Sequence, residues 1–199
     1  MSASIAVAPS MTQFFHEVVN DALRARHVEA TAEASGYLVG ILCDYAHPDE
    51  GLHSTFSEPL TFLLRDALEA TGTERLRRLR SLGDGVLYAL GFFGEHLTQR
   101  GADRKYIEQV GATAYQHAAA MIRVRASRAG DPPIFSELAT KFERFAAVLG
   151  DVAEETIGTM VRDSQSLVKV YERWIRTGST RLADELGLHG IVLARGGTS

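Results

Sequence analysis

The sequence predicts an all-α protein: a single-domain helical bundle of about seven or eight helices around a central Gly-rich antiparallel helix hairpin. Three observations lead there. Apolar residues recur at spacings of three and four along most of the chain, and no alternating run long enough for a strand occurs. Two long helical patterns are joined by the short turn Gly101-Ala102, which makes them an antiparallel hairpin. The first pattern holds the most apolar stretch in the chain, Ser81 to Leu97, with Gly83, Gly85, Gly91 and Gly94 inside it. A glycine in a helix interior costs roughly 1 kcal/mol relative to alanine. Four of them predict a buried helix whose backbone a neighbour meets directly.

The elements follow in order. Residues 1–9 read as a flexible N-terminus. Ser10 is a helix cap, followed by Phe14, Phe15, Val18, Val19, Ala22 and Leu23 at helical spacing. A second helix is expected from Val28 to Ala46, with Tyr37, Leu38, Ile41, Leu42 and Tyr45 on one side. His47-Pro48-Asp49-Glu50-Gly51 has the composition of a loop. Ser57-Glu58-Pro59 has a cap, an acid and an early proline, and so starts a third helix that ends near Thr71-Gly72.

The central helix is expected from Thr73 to Arg100, and its partner from Asp103, as cap, to Ser127. Gly83, Leu87, Leu90, Gly94 and Leu97 share a face of the first arm; Gly111, Ala114 and Ala118 form a small-residue face on the second. Two such faces predict close packing of the axes. Arg128 to Pro133 breaks the chain. The repeat Phe135, Leu138, Phe142, Phe145, Leu149, Val152 then predicts an amphipathic helix. Periodicity weakens from Gly158 to Ser164 and returns with Leu167, Val168, Tyr171, Trp174 and Ile175, so 134–177 reads as two helices or as one. A short helix from Thr180 to Leu186 closes the helical domain at residue 188, and 189–199 reads as a loose tail.

Composition narrows the function classes. Of 199 residues, 45% are hydrophobic and 23% charged, as in a globular protein with a sizeable core. A net charge of −4 implies no bulk attraction to nucleic acid or to an anionic membrane. The lone cysteine, Cys43, cannot form an intrachain disulfide and sits among apolar residues as a small hydrophobe, which suits a cytoplasmic protein. The opening MSASIAVAPS has no basic region and too short an apolar part for a signal peptide. No apolar run reaches the ~18 residues of a membrane span.

Four constellations could carry chemistry. The first is basic. Arg75, Arg77, Arg78 and Arg80 open the central helix, and Arg123, Arg125 and Arg128 close its partner, so antiparallel pairing gathers them at one end. Guanidinium forks grip carboxylates and phosphates, which makes this end a contact for an acidic partner or an anionic ligand. Asp66, Glu69 and Glu74 are the carboxylates that could instead balance it.

The second is a polar seam beside the glycines. Asp84, Tyr88, His96, Tyr115 and His117 either line a small-molecule pocket or satisfy one another. A turn at Gly101 puts Asp84 level with His117 and Ala118, and Tyr88 level with Ala114 and Tyr115. The third is Glu50-Gly-Leu-His53, the single copy of a spacing that di-iron bundles use twice. It lies in a Pro/Gly loop with His47 and Asp49, so no metal is expected. The fourth, RLADELGLHGIVLAR, has the apolar spacing of a helix-turn-helix, but Gly190 sits where the recognition helix would start and Gly196-Gly197 would end it early. Nucleic acid is therefore a disfavoured partner.

No nucleophile elbow, phosphate loop or dinucleotide fingerprint occurs, and no cofactor is indicated. The runs LRSLGDGVLYALGFFGEHL and GATAYQHAA resemble an uncharacterised bacterial family of all-helical proteins. That resemblance implies a helical fold and no particular activity. The function expected is a non-catalytic cytoplasmic interaction or regulatory module. A ligand-binding or enzymatic bundle with a pocket at the seam is the alternative, and a DNA-binding regulator the second. The oligomeric state stays open.

Overall fold

The fold is that of a computed structural model, which describes residues 11–45, 58–99, 103–125, 134–159 and, beyond them, 171, 174, 175, 182, 183, 186 and 187. The all-α class holds: the described residues contain seven longer helices and no strand. These are α1 (Met11–Ala25), α2 (Ala32–Tyr45), α3 (Leu60–Glu69), α4 (Gly72–Gln99), α5 (Arg104–Arg125), α6 (Ile134–Thr140) and α7 (Phe142–Thr159). The chain clusters into two compact units, Met1–Gly150 and Asp151–Ser199. In the second, Leu182 and Leu186 are buried.

Within the first unit α4 and α5 form the most extensive helix pair. Also in contact are α3 with both, α6 with α5, α1 with α2, and α2 more lightly with α4 and α6. Every residue from Leu82 to Gly91 is buried, so this part of α4 is enclosed on all sides, as its apolar run predicts.

Local chemistry sets the helix ends. α1 stops in a Schellman motif: the Val28 N–H donates to Leu23 O and the His27 N–H to Arg24 O, at 2.9 and 3.1 Å. His27 holds the left-handed position of that motif at φ 52. This motif is why α2 starts at Ala32 and not at Val28. Its cap is Thr31, whose hydroxyl oxygen accepts the Ala34 N–H at 3.1 Å. Pro59 stands at the cap of α3 with ψ 132, one place outside the first turn expected for it, and Ser57 lies outside the described residues. Gly72 begins α4 at φ +58, a conformation that glycine adopts without steric cost. Asp103 caps α5 as expected, accepting the Lys105 and Tyr106 N–H groups at 2.9 and 3.4 Å.

The expected amphipathic helix after Pro133 is interrupted once, at Lys141. Its side chain reaches across to Glu29 O at 2.7 Å and to Glu137 at 3.0 Å. Phe135, Leu138, Phe142, Phe145, Leu149 and Val152 are all buried, so the repeat read from the sequence marks the inward face. Glu137 fixes α6 against the start of α2 by accepting both the N–H (3.1 Å) and the hydroxyl (2.5 Å) of Thr31.

The glycines work differently from the expected meeting of two small-residue faces. A Cβ at Gly83 would lie 2.5–2.9 Å from ring carbons of Tyr115, and one at Gly111 would lie 2.8 Å from Val86 Cγ1 and from Phe142 Cε2. Each glycine is a slot for a large side chain. The close backbone approach is made to α7 instead: a Cβ at Gly91 would sit 2.5 Å from Leu149 Cβ and 3.2 Å from its carbonyl carbon. The register also departs from the expectation. Tyr115 lies beside Gly83 and Asp84, about one helical turn from its expected level at Tyr88.

Candidate functional site

The polar seam resolves into two separate clusters. The first is centred on Asp84, the one buried charged residue among those described, at 9% exposure. Three helices serve it. Tyr37 of α2 and Tyr115 of α5 both donate to its Oδ1, at 2.7 and 2.8 Å. Arg80, one turn earlier on α4, donates its Nε to Oδ2 at 3.4 Å and to the Tyr37 hydroxyl at 2.9 Å. The Arg80 guanidinium also lies 5.2 Å from the centroid of the Tyr37 ring, within cation–π range. Phe135 braces both tyrosines, edge-on to Tyr37 and stacked with Tyr115 at ring separations of 5.6 and 5.7 Å.

Electrostatics follow from this burial. Desolvation pushes the Asp84 carboxyl above the usual aspartate range; the hydrogen bonds from Tyr37, Tyr115 and Arg80 oppose the rise without cancelling it. Burial, and then the neighbouring Asp84 carboxylate, push the Tyr37 and Tyr115 hydroxyls well above the usual tyrosine range. Both tyrosines are therefore firm donors. A buried carboxylate with both oxygens engaged is a satisfied node, and its chemistry is that of a structural tie.

The second cluster is aromatic. Tyr88 is not in the Asp84 network. It stacks between Tyr45 and Phe92 at ring separations of 4.7 and 4.5 Å. Burial raises its hydroxyl as well. His117 is half-buried and is not among Asp84's partners, because the helix register brings Tyr115 there instead. The His96 side chain lies outside the described residues.

The arginine end has a different character. Arg77 donates from Nε and Nη2 to the two oxygens of Glu74, at 2.8 and 2.7 Å, and Arg78 donates to the same carboxylate at 2.6 Å. Arg77 and Arg78 are exposed, and Glu74 between them is half-buried. Hydrogen bonds from Arg77 and Arg78 hold Glu74 down to about 2. Two guanidinium groups share one carboxylate, so the trio keeps a positive charge. Asp66 and Glu69 pair with Arg65 of α3, not with these arginines. Arg80 belongs to the Asp84 node. Arg75 is half-buried, one turn before the buried Leu79, and its Nε is buried without a hydrogen-bond partner among the described residues.

The antiparallel register puts the last turn of α5, with Arg123 and Arg125, at the end where α4 begins. The side chains of Arg123 and Arg125, and all of Arg128, lie outside the described residues, as do the His47–His53 loop and most of the helix-turn-helix-like segment.

Sequence reasoning missed Tyr37, which nothing local ties to Asp84, 47 residues away. It assigned Arg80 to the wrong cluster, although the spacing of four to Asp84 was a usable signal. It also missed a groove of about 1000 Å3 along the α1–α2 junction, lined in part by His16, Asn20, Arg24, His27 and Ser35. That groove is open, and Asn20 bonds Ser35 (3.0 Å) while Arg24 bonds Asp21 (2.6 Å). Among the described residues no group of three or more His, Cys, Asp or Glu is placed to hold a metal ion, and no helix is long and apolar enough to cross a membrane. No protein-family model, curated protein or solved structure matches the chain.

Proposed function

We propose that this chain is a non-catalytic helical interaction module of the cytoplasm, and that it meets an acidic partner through the arginine-bearing end of α4 and α5. The observation that carries this reading is the exposed pair Arg77 and Arg78, two guanidinium groups on the single half-buried carboxylate of Glu74. A local excess of positive charge on a chain of net charge −4 steers an acidic surface toward that one end. The Asp84 node supports the same reading from the other side, since both carboxylate oxygens are bonded within the protein. A lone cysteine is in keeping with a reducing compartment.

Replacement of Arg77, Arg78, Arg123 and Arg125 by Glu tests the proposal. Immobilised wild-type chain should retain acidic proteins from lysate at low salt, and the quadruple variant should lose them while its helical circular dichroism is unchanged. Identical retention by both chains would remove this surface from the account.

A further inference from the structure

Helices α1 and α2 are fastened to each other more firmly than to the rest of the first unit. α1 packs chiefly on α2, and α2 touches α4 and α6 only lightly, whereas α6 has its main contact with α5. An open cleft of about 500 Å3 separates Arg26, His27 and Val28, at the turn of the α1–α2 hairpin, from Glu143, Arg144 and Ala147 of α7. His27 and Val28 also line the α1–α2 groove, so the turn is not packed down.

Polar ties bridge the gap at two places. At the start of α2, Glu137 accepts the N–H and the hydroxyl of Thr31, and Lys141 donates to Glu29 O at 2.7 Å. Midway along α2, the Tyr37 hydroxyl donates to Asp84 at 2.7 Å and accepts from Arg80 at 2.9 Å. Segments with few contacts to their surroundings open first, as cooperative units. We infer that α1 and α2 form a strap that opens as one unit ahead of the α4–α5 core, with Glu137 and Tyr37 as the catches that set how often it opens. Opening takes Tyr37 off Asp84 and Phe135, and Tyr45 off Tyr88, so the strap governs the access of water to both clusters. This device is independent of the arginine end.

The test is amide hydrogen exchange of the full chain at neutral pH, read by mass spectrometry. The slowest amides of α1 and α2 should share one opening constant, larger than that of α4 and α5. Glu137→Ala and Tyr37→Phe each remove a bond to a charged group present only in the closed state, so each should speed strap exchange about tenfold. Val86→Ala trims a fully buried side chain of α4 that faces Gly111. The α4–α5 pairing persists when the strap is open, so Val86→Ala should speed α4 and α5 about tenfold and leave α1 and α2 within about twofold. Ala114→Gly on α5 repeats that comparison if Val86→Ala does not fold. Equal acceleration of all four helices by the core variant overturns the strap, because it means a single global transition. Wild-type exchange with one constant throughout, or with different constants for α1 and α2, overturns it too. Strap exchange unchanged in both Glu137→Ala and Tyr37→Phe overturns the assignment of the catches.

Discussion

Tyr115 donates its hydroxyl to Asp84 at 2.8 Å from a ring that fills the space left by Gly83. The missing side chain of one residue seats the ring, and the carboxylate of the next receives its hydroxyl. Size and polarity at two adjacent positions of α4 thus set how α5 docks.

The Gly83 slot is testable by size. Gly83→Ala places a methyl 2.5–2.9 Å from three ring carbons of a fully buried tyrosine. Overpacking of this kind costs about 1–3 kcal/mol, read as a lower urea midpoint at unchanged slope. Gly40, in the interior of α2, should behave oppositely, because a Cβ at that position would meet nothing within 4 Å. Gly40→Ala should gain up to about 1 kcal/mol by helix propensity alone. Equal effects at the two sites would refute the slot.

Removing a hydroxyl tests the node. Tyr115→Phe leaves Asp84 with Tyr37 and Arg80 and should cost about 1–3 kcal/mol. A double-mutant cycle with Asp84→Asn should show coupling between the two positions. Strict additivity would mean that the bond contributes nothing.

Two carboxyls should make opposite contributions to the pH profile. The Asp84 pKa is raised on folding, so its stabilising contribution is complete below the unfolded value of about 3.9 and is lost as pH rises through the folded pKa. Burial also works against the Glu137 carboxylate, but hydrogen bonds from Thr31 and Lys141 win and hold it below the usual range. Its contribution is present above the unfolded value of about 4.3 and is lost as pH falls through the folded pKa. Urea unfolding across pH should therefore show a weaker acid-side loss in Glu137→Gln, and in Asp84→Asn a weaker decline as pH rises above about 4. Parallel profiles for wild type and both variants would contradict these assignments.

His27 offers a stabilising substitution. It holds φ 52 at the end of α1 with an exposed side chain. A left-handed non-glycine residue costs about 1–2 kcal/mol, so His27→Gly should raise the melting temperature. A fall would mean that the imidazole contributes more than its backbone conformation costs.

What was legible in the sequence was whatever repeats locally. The spacing of Phe135 through Val152 marks buried positions because helical period is a property of neighbours along the chain. Asp103 showed itself as a cap because the N–H groups it bonds are two and three residues on. The glycines showed that something meets α4, but not what, because a slot has the same sequence whether a tyrosine ring or another backbone fills it. Tyr37 was invisible as a partner of Asp84 because that bond depends on where α2 is laid against α4. The tilt of Lys141 toward Glu29, likewise, is decided across the fold and leaves no mark in the amphipathic pattern.

The structural node at Asp84 and the contact surface at Arg77 and Arg78 are separate features of α4, and one titration tests that division. Decaglutamate binding should be unchanged within about twofold in Tyr115→Phe, which touches only the node, and should be lost in Arg77→Glu with Arg78→Glu, at equal helical content. Loss of binding in Tyr115→Phe with full binding retained by the double arginine variant would contradict it.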